Sequence, residues 1–220
     1  MRKPKPIPAA KALLRLRQGN KRFVKNRRTG SLAVHRDVRN LMIKSRGPFA
    51  IILSCSDSRA PAEILFDQGL GDLFVIRVAG NIVAPSLIGS VEFAAATTQA
   101  RLVIVMGHTH CGAIQATYDA VEGKRPALSD NISDIVERIQ PHIHRLISRK
   151  KGKHKREEIL SDAVRANVLA SADHLRHGSR FLEDMVRDNE LMIVGSEYDI
   201  ETGVVDFFDL PIPRKRSSNG

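Results

Sequence analysis

Four nearly continuous apolar runs, FAIILSC (49 to 55), LFVIRVA (73 to 79), LVIVMG (102 to 107) and LMIVGS (191 to 196), constrain the fold of this chain more than any other feature. A strand with one face in water alternates apolar and polar residues, whereas a run that is apolar at every position belongs to a strand covered on both faces. Parallel strands need long crossovers, usually helical. The intervening stretches supply them, with helical patterns over roughly 60 to 68, 86 to 99, 112 to 123, 130 to 148 and 157 to 189, the last broken near Gly178. Pro61 falls in the first turn of its segment, where a missing N–H is tolerated, and Asp130 is placed to cap the fifth helix counted from the N-terminus. A further run, VVDFF (204 to 208), follows Glu201-Thr202-Gly203 and reads as an edge strand on a hairpin-like return. The expected fold class is therefore α/β: a mainly parallel central sheet of four strands plus an edge strand, flanked by helices.

Ahead of the first strand, residues 9 to 26 carry Leu13, Leu14, Leu16, Phe23 and Val24 at helical spacing. This N-terminal helical arm, residues 1 to 27, must cover an apolar surface on its own domain or on a partner, which hints at an oligomer. No repeat and no low-complexity linker interrupts residues 9 to 208. One domain over residues 1 to 220 is expected, with residues 210 to 220 a disordered basic tail. A chain of this length buries enough surface for a core without staples.

The formal net charge is +11, which invites a nucleic-acid or acidic-membrane reading. The excess is concentrated in RKKGKHKR (149 to 156) and in the tail RKRSSNG (214 to 220), neither with interleaved aromatics for base stacking. A solvated loop and a frayed tail account for both, so no nucleic-acid partner is expected. Two cysteines exclude a disulfide framework and suggest a reducing compartment. The basic N-terminus never reaches the apolar stretch of a secretory signal, and no run is long enough to span a membrane. A cytoplasmic protein is expected.

Two places combine metal-binding residue types with strand ends. Ser54-Cys55-Ser56-Asp57-Ser58-Arg59 follows FAIIL, and Gly107-His108-Thr109-His110-Cys111-Gly112 follows LVIVM. Sites in open α/β sheets form outside the carboxyl ends of strands, so the two segments share one crevice if their strands are neighbours. Cys55, His108 and Cys111 are the soft and borderline donors that zinc prefers, and three ligands with a fourth place for water or Asp57 suit a catalytic zinc. On spacing alone other readings stay open. A cysteine at a strand end is often a small buried hydrophobe; a redox pair lacks the usual C-x-x-C; a Cys/His nucleophile leaves Asp57, Arg59 and the second cysteine without roles. Gly69-Leu70-Gly71 is no dinucleotide fingerprint, because the third glycine is missing and the stretch precedes a strand.

CSDSRAPAEILFDQGLGDLFVIRVAGN (55 to 81), GSVEFA (89 to 94) and VIVMGHTHCGAI (103 to 114) resemble the β-class carbonic anhydrase family in content, order and spacing. LLRLRQGNKRFV and SEYDIETGVVDFF are similar to its bacterial members, extending the likeness over about residues 9 to 208. The resemblance implies attack of a zinc-bound hydroxide on carbon dioxide to give bicarbonate, with one Zn²⁺ per chain in a homodimer or tetramer. It places the zinc ligands at Cys55, His108 and Cys111. Asp57 and Arg59 fall on the family's catalytic pair, with Asp57 able to take the fourth zinc site in closed forms. Phe74, Ala79, Phe93 and Gly112 fall on substrate-pocket positions, although plain core packing explains the first three equally well. Part of that pocket comes from the neighbouring subunit.

The chain also departs from the family pattern. Arg46 replaces a glutamine that contacts substrate, and Val78 replaces an asparagine. Ile52 stands where members with an inhibitory bicarbonate pocket carry tryptophan, a residue absent from this chain, so that regulation is not expected. Two thiolates leave the ion formally neutral, its acidifying pull is weaker, and an alkaline optimum follows. Carbonyl sulfide or carbon disulfide is the alternative substrate; a basic nucleic-acid-binding protein with a structural zinc is a more distant alternative.

Overall fold

In a computed structural model, the described residues are 6–29, 47–124, 129–150 and 152–210. Arg46 and residues 211 to 220 of the basic tail therefore lie outside them. The elements are α1 (Ala9–Val24), β1 (Ala50–Ser54), α2 (Ala62–Leu65), β2 (Leu73–Arg77), a 3₁₀ turn (Ala79–Asn81), α3 (Pro85–Thr97), β3 (Leu102–His108), α4 (Gly112–Val121), α5 (Asp130–Lys150), α6 (Arg156–His177), α7 (Arg180–Arg187), β4 (Met192–Tyr198) and β5 (Val205–Asp209).

The strands form one sheet in the order β2-β1-β3-β4-β5. The first four are parallel and β5 returns antiparallel to β4, as expected from the unbroken apolar runs and the terminal hairpin. Every residue of β1 and β3 is buried, which is why neither strand alternates. One face packs Leu16, Leu65 and Phe66 against Ile52, Ile104 and Val194. The other packs Val91, Val168, Ala172 and Leu182 against Ile51, Val103 and Ile193. A third cluster, Ile114, Tyr118, Ile139, Ile143 and Ile159, lies around Cys55 and Cys111.

Three local expectations change. The segment expected over 60 to 68 is helical only over Ala62–Leu65, because Asp67 takes a left-handed backbone (φ 48°) and its buried carboxylate accepts from Arg22 Nε at 2.5 Å and from the Thr29 N–H. Asp130 begins α5 instead of capping it, and the cap is Ser129, whose Oγ accepts the Ile132 N–H at 3.4 Å. The arm packs mainly on its own chain: Ala12 and Leu16 are fully buried against the sheet, while Leu14 and Val24 stay exposed. Asn20 donates to the Gly203 carbonyl and accepts the Val205 N–H, each at 2.9 Å. The arm's buried residues are thus accounted for within the chain, and of the five apolar residues named for it only Leu14 and Val24 are left exposed. The break near Gly178 is present, with Ser179 capping α7 through the Leu182 N–H.

Part of the basic stretch at the end of α5 and beyond is paired within the chain. Lys150 pairs with Asp162, His154 with Glu158 and Arg156 with Asp119. Among the described residues no helix is long and apolar enough to cross a membrane.

Candidate metal centre

β1 and β3 are hydrogen-bonded neighbours, with Ser54 opposite Met106. Beyond β1 the chain turns into α2 on one face of the sheet, and beyond β3 it enters α4 on the other side. The connections thus diverge at the carboxyl ends of adjacent strands, where open α/β sheets form their sites. That divergence brings Cys55 beside His108 and Cys111, although His108 lies 53 positions after Cys55 in the chain.

The ligand atoms of Cys55, His108 and Cys111 all lie within 4.8 Å of one another, and all three residues are buried. His108 Nδ1 faces the Thr109 carbonyl at 2.8 Å, which assigns the proton to that nitrogen and turns Nε2 inward. Nε2 is buried with no hydrogen-bond partner among the described residues. A buried imidazole lone pair aimed at two sulfur atoms is costly unless something electrophilic meets it, and a tetrahedral zinc accepts this donor set.

The protonation of the cluster is mutually controlled. The Cys111 thiol hydrogen-bonds to Cys55 and, with His108 and the N–H groups of Asp57 and Gly80, pulls the Cys55 pKa down against the opposing effect of burial. The neighbouring Cys55 thiolate and burial push Cys111 up. Burial opposes protonation of His108, but Cys55, the Thr109 carbonyl and Asp57 outweigh it and raise its pKa. Such a cluster offers negative charge that a divalent cation satisfies.

Asp57 and Arg59 stand at the mouth of the cluster. Arg59 Nε and Nη2 grip the two Asp57 oxygens at 2.9 and 2.7 Å, and the Arg59 N–H adds a bond of 2.9 Å. This grip holds the Asp57 carboxyl well below the usual carboxylate range, despite partial desolvation. Asp57 Oδ2 lies 3.9 Å from His108 Nε2. Asp57 is thus engaged by Arg59 and is not among the three clustered ligands, whereas the sequence offered it as a possible fourth. Arg59 also reaches the carbonyl of His110, which has a left-handed backbone (φ 58°).

The four positions expected to line a substrate pocket divide. Ala79 precedes Gly80, whose N–H donates to Cys55 Sγ at 3.3 Å, and exposed Gly112 follows Cys111. Phe74 is half-buried on β2 against the α3 side of the core. Phe93 is 60% exposed on α3 and is not part of the core that the described residues form.

Sequence reasoning missed three groups that shape the centre. Arg77 binds the carbonyls of Cys55 and Asp57 at 3.1 and 2.5 Å, and Asn167 and Ser171 bind the carbonyls of Gly80 and Asn81. Arg77 gives no sign in the sequence. Asn167 and Ser171 do give one, since they are polar residues one turn apart on the buried α6 face that carries Val164, Val168 and Ala172.

Comparison with known proteins places this geometry in a family. The family model described as "Carbonic anhydrase" matches residues 50–205. A carbonic anhydrase of Mycolicibacterium smegmatis is 37% identical over 91% of this chain and 92% of its own length. Carbonic anhydrase 2 of Mycobacterium tuberculosis is 36% identical over 90% of each. Among solved structures, the β-carbonic anhydrase CcaA superposes with a TM-score of 0.69 at 25% identity, covering 91% of this chain and 100% of that one. A tetrameric β-carbonic anhydrase of Sordaria macrospora shares the fold, with a TM-score of 0.69 at 18% identity over 77% of this chain and 85% of that one. Since family model, bacterial relatives and fold agree along a shared span that includes the whole Cys55, His108 and Cys111 cluster, the chain belongs to the β-class carbonic anhydrase family.

Proposed function

We propose that this protein catalyses the reversible hydration of carbon dioxide to bicarbonate on a zinc ion held by Cys55, His108 and Cys111. The observation that carries the reading is the buried, unpartnered His108 Nε2 clustered with the two cysteine sulfurs beneath the Asp57–Arg59 pair. A zinc ion bound there supplies the Lewis acidity that the reaction needs. Asp57, kept ionised by Arg59, accepts a proton-bearing partner at the face where water and carbon dioxide meet, and Arg59 keeps the carboxylate from turning into the ligand cluster. Gly112, Ala79 and Phe74 are assigned to the substrate pocket on this reading, supported for the first two by their place next to Cys111 and Gly80. Exposed Phe93 serves a site across a subunit boundary, which favours a homodimer or tetramer. The chain acts as one domain, a reading supported by two apolar clusters on the faces of one sheet and a third joined to the second along α6 through Val164 and Val168. Two free cysteines, both in the cluster, suit the cytoplasm.

Stopped-flow hydration on metal-quantified protein tests the reading. About one zinc per chain and activity rising towards alkaline pH are expected. Stripped protein that still hydrated carbon dioxide at full rate would overturn it, and preferential turnover of carbonyl sulfide would move the assignment to the sulfur substrate.

A further inference from the structure

The 3₁₀ turn over Ala79–Asn81 is an unusual piece of backbone. Gly80 (φ 67°) and Asn81 (φ 44°) both occupy the left-handed region in succession. Gly80 has no alternative, because a Cβ there would lie 2.8 Å from Ile139 Cδ1 and 2.9 Å from Ala113 Cβ. For Asn81 the conformation is uncommon, and such residues persist only where surrounding structure over-determines them.

The over-determination comes from α6. Asn167, 1% exposed, donates from Nδ2 to the Gly80 carbonyl at 2.8 Å. Ser171, one helical turn on, donates from Oγ to the Asn81 carbonyl at 3.1 Å. Both carbonyls of the left-handed pair are therefore fixed by side chains one helical turn apart. At the other end, the Val78 N–H and carbonyl continue the ladder to Ser54 and Ser56, at 3.1 and 3.2 Å. Clamped between helix and strand, the turn aims the Gly80 N–H at Cys55 Sγ. An N–H donated to a thiolate withdraws charge from sulfur, so the turn controls how strongly Cys55 donates to a metal.

We propose that Asn167, assisted by Ser171, is a positioning residue of the metal centre: it fixes the left-handed Gly80-Asn81 turn so that the Gly80 N–H polarises the Cys55 thiolate. This rests on the reading of Cys55 as a zinc ligand. Loosening the clamp lets the Gly80 N–H swing from the sulfur, raises the energy of the sulfur lone pairs and lowers the energy of thiolate-to-metal charge transfer.

Cobalt(II) substituted for zinc makes that transition visible in the near ultraviolet. Three variants are compared with the parent: Asn167→Leu, which keeps the branching and heavy-atom count and deletes the donor; Ser171→Ala, which removes the second bond alone; and Leu175→Ala, which opens the same helix's buried face away from the turn. The charge-transfer band is expected to move to longer wavelength in Asn167→Leu and, less, in Ser171→Ala. Metal affinity in Asn167→Leu, read by competition with a chromophoric chelator, should fall about ten-fold or more, because the released turn no longer holds Cys55 in place and that loss outweighs the stronger donation of the freed sulfur. Leu175→Ala should lose thermal stability with its band unmoved. Bands unchanged in both clamp variants, or moved equally in Leu175→Ala, would overturn the proposal. If Asn167→Leu does not fold, Ser171→Ala decides alone, and an unshifted band there overturns it. A parent protein with no thiolate band at all would instead sink the metal-ligand reading on which the proposal stands.

Discussion

Arg59 holds Asp57 through two parallel hydrogen bonds, of 2.9 and 2.7 Å, from a position only two residues further along the same turn. The pair is built into the segment that carries Cys55 and needs no distant element to form it. Arg77 ties this segment down through the Cys55 and Asp57 carbonyls, so the pair sits on a fixed base.

Removing either partner is expected to separate chemistry from metal binding. Arg59→Ala frees the carboxylate, and Asp57→Ala removes it; both should keep zinc while turnover falls about 10²- to 10⁴-fold. Arg59→Lys should not rescue, because an ammonium lacks the planar fork. Stopped-flow rates beside zinc content check this, and near-normal hydration by Arg59→Ala would reduce Arg59 to a structural residue of the turn.

Cys55→Ala and His108→Ala should behave differently, losing the metal itself and with it all activity. Elemental analysis after gel filtration distinguishes them from the Asp57 and Arg59 variants. Full zinc content in either would show that the ligand set is misassigned.

The arm lies on its own sheet, and its removal should be felt in folding. Leu16 is fully buried on the face of α1 that packs on the sheet, so Leu16→Ala should cost about 2–5 kcal/mol in urea unfolding. Asn20→Ala, which strands the Val205 N–H and the Gly203 carbonyl, should destabilise as well. A loss of assembly with unfolding unchanged would contradict the packing of α1.

Glu197 on β4 supplies a pH test. Burial, only partly offset by Arg165, raises its pKa above the ordinary glutamate value. For a carboxyl raised in the fold, the favourable contribution is present below the unfolded pKa and is lost as pH rises through the folded pKa. Glu197→Gln should therefore improve stability relative to the parent more at pH 8 than at pH 4. Unfolding curves at the two values check the sign, and a difference independent of pH would show that Glu197 does not titrate as described.

What the sequence disclosed follows from how local each signal is. Strands buried on both faces declare themselves in unbroken apolar runs, and β1 to β4 lie where those runs are. Cys55, Asp57 and Arg59 were legible because they share one short segment, as do His108 and Cys111. Asn167 is 87 residues from the carbonyl it binds, and nothing near it in the chain points to Gly80. α2 was overread because the Asp67 carboxylate, bound by Arg22 and Thr29, ends the helix through contacts 45 and 38 residues away. The surface that α1 covers was undecidable for the same reason: an apolar stripe states that something is covered, and only the packed sheet states what.

Cys55 and His108 meet only because β3 lies against β1, while β2 occupies the other edge of β1. Pairing across so many residues is slow compared with helix formation. During refolding the helices and the first strand contacts can assemble before any ion is captured, and the centre matures last. A chelator present from the start should leave the recovery of secondary structure on its usual time course and block only the return of activity.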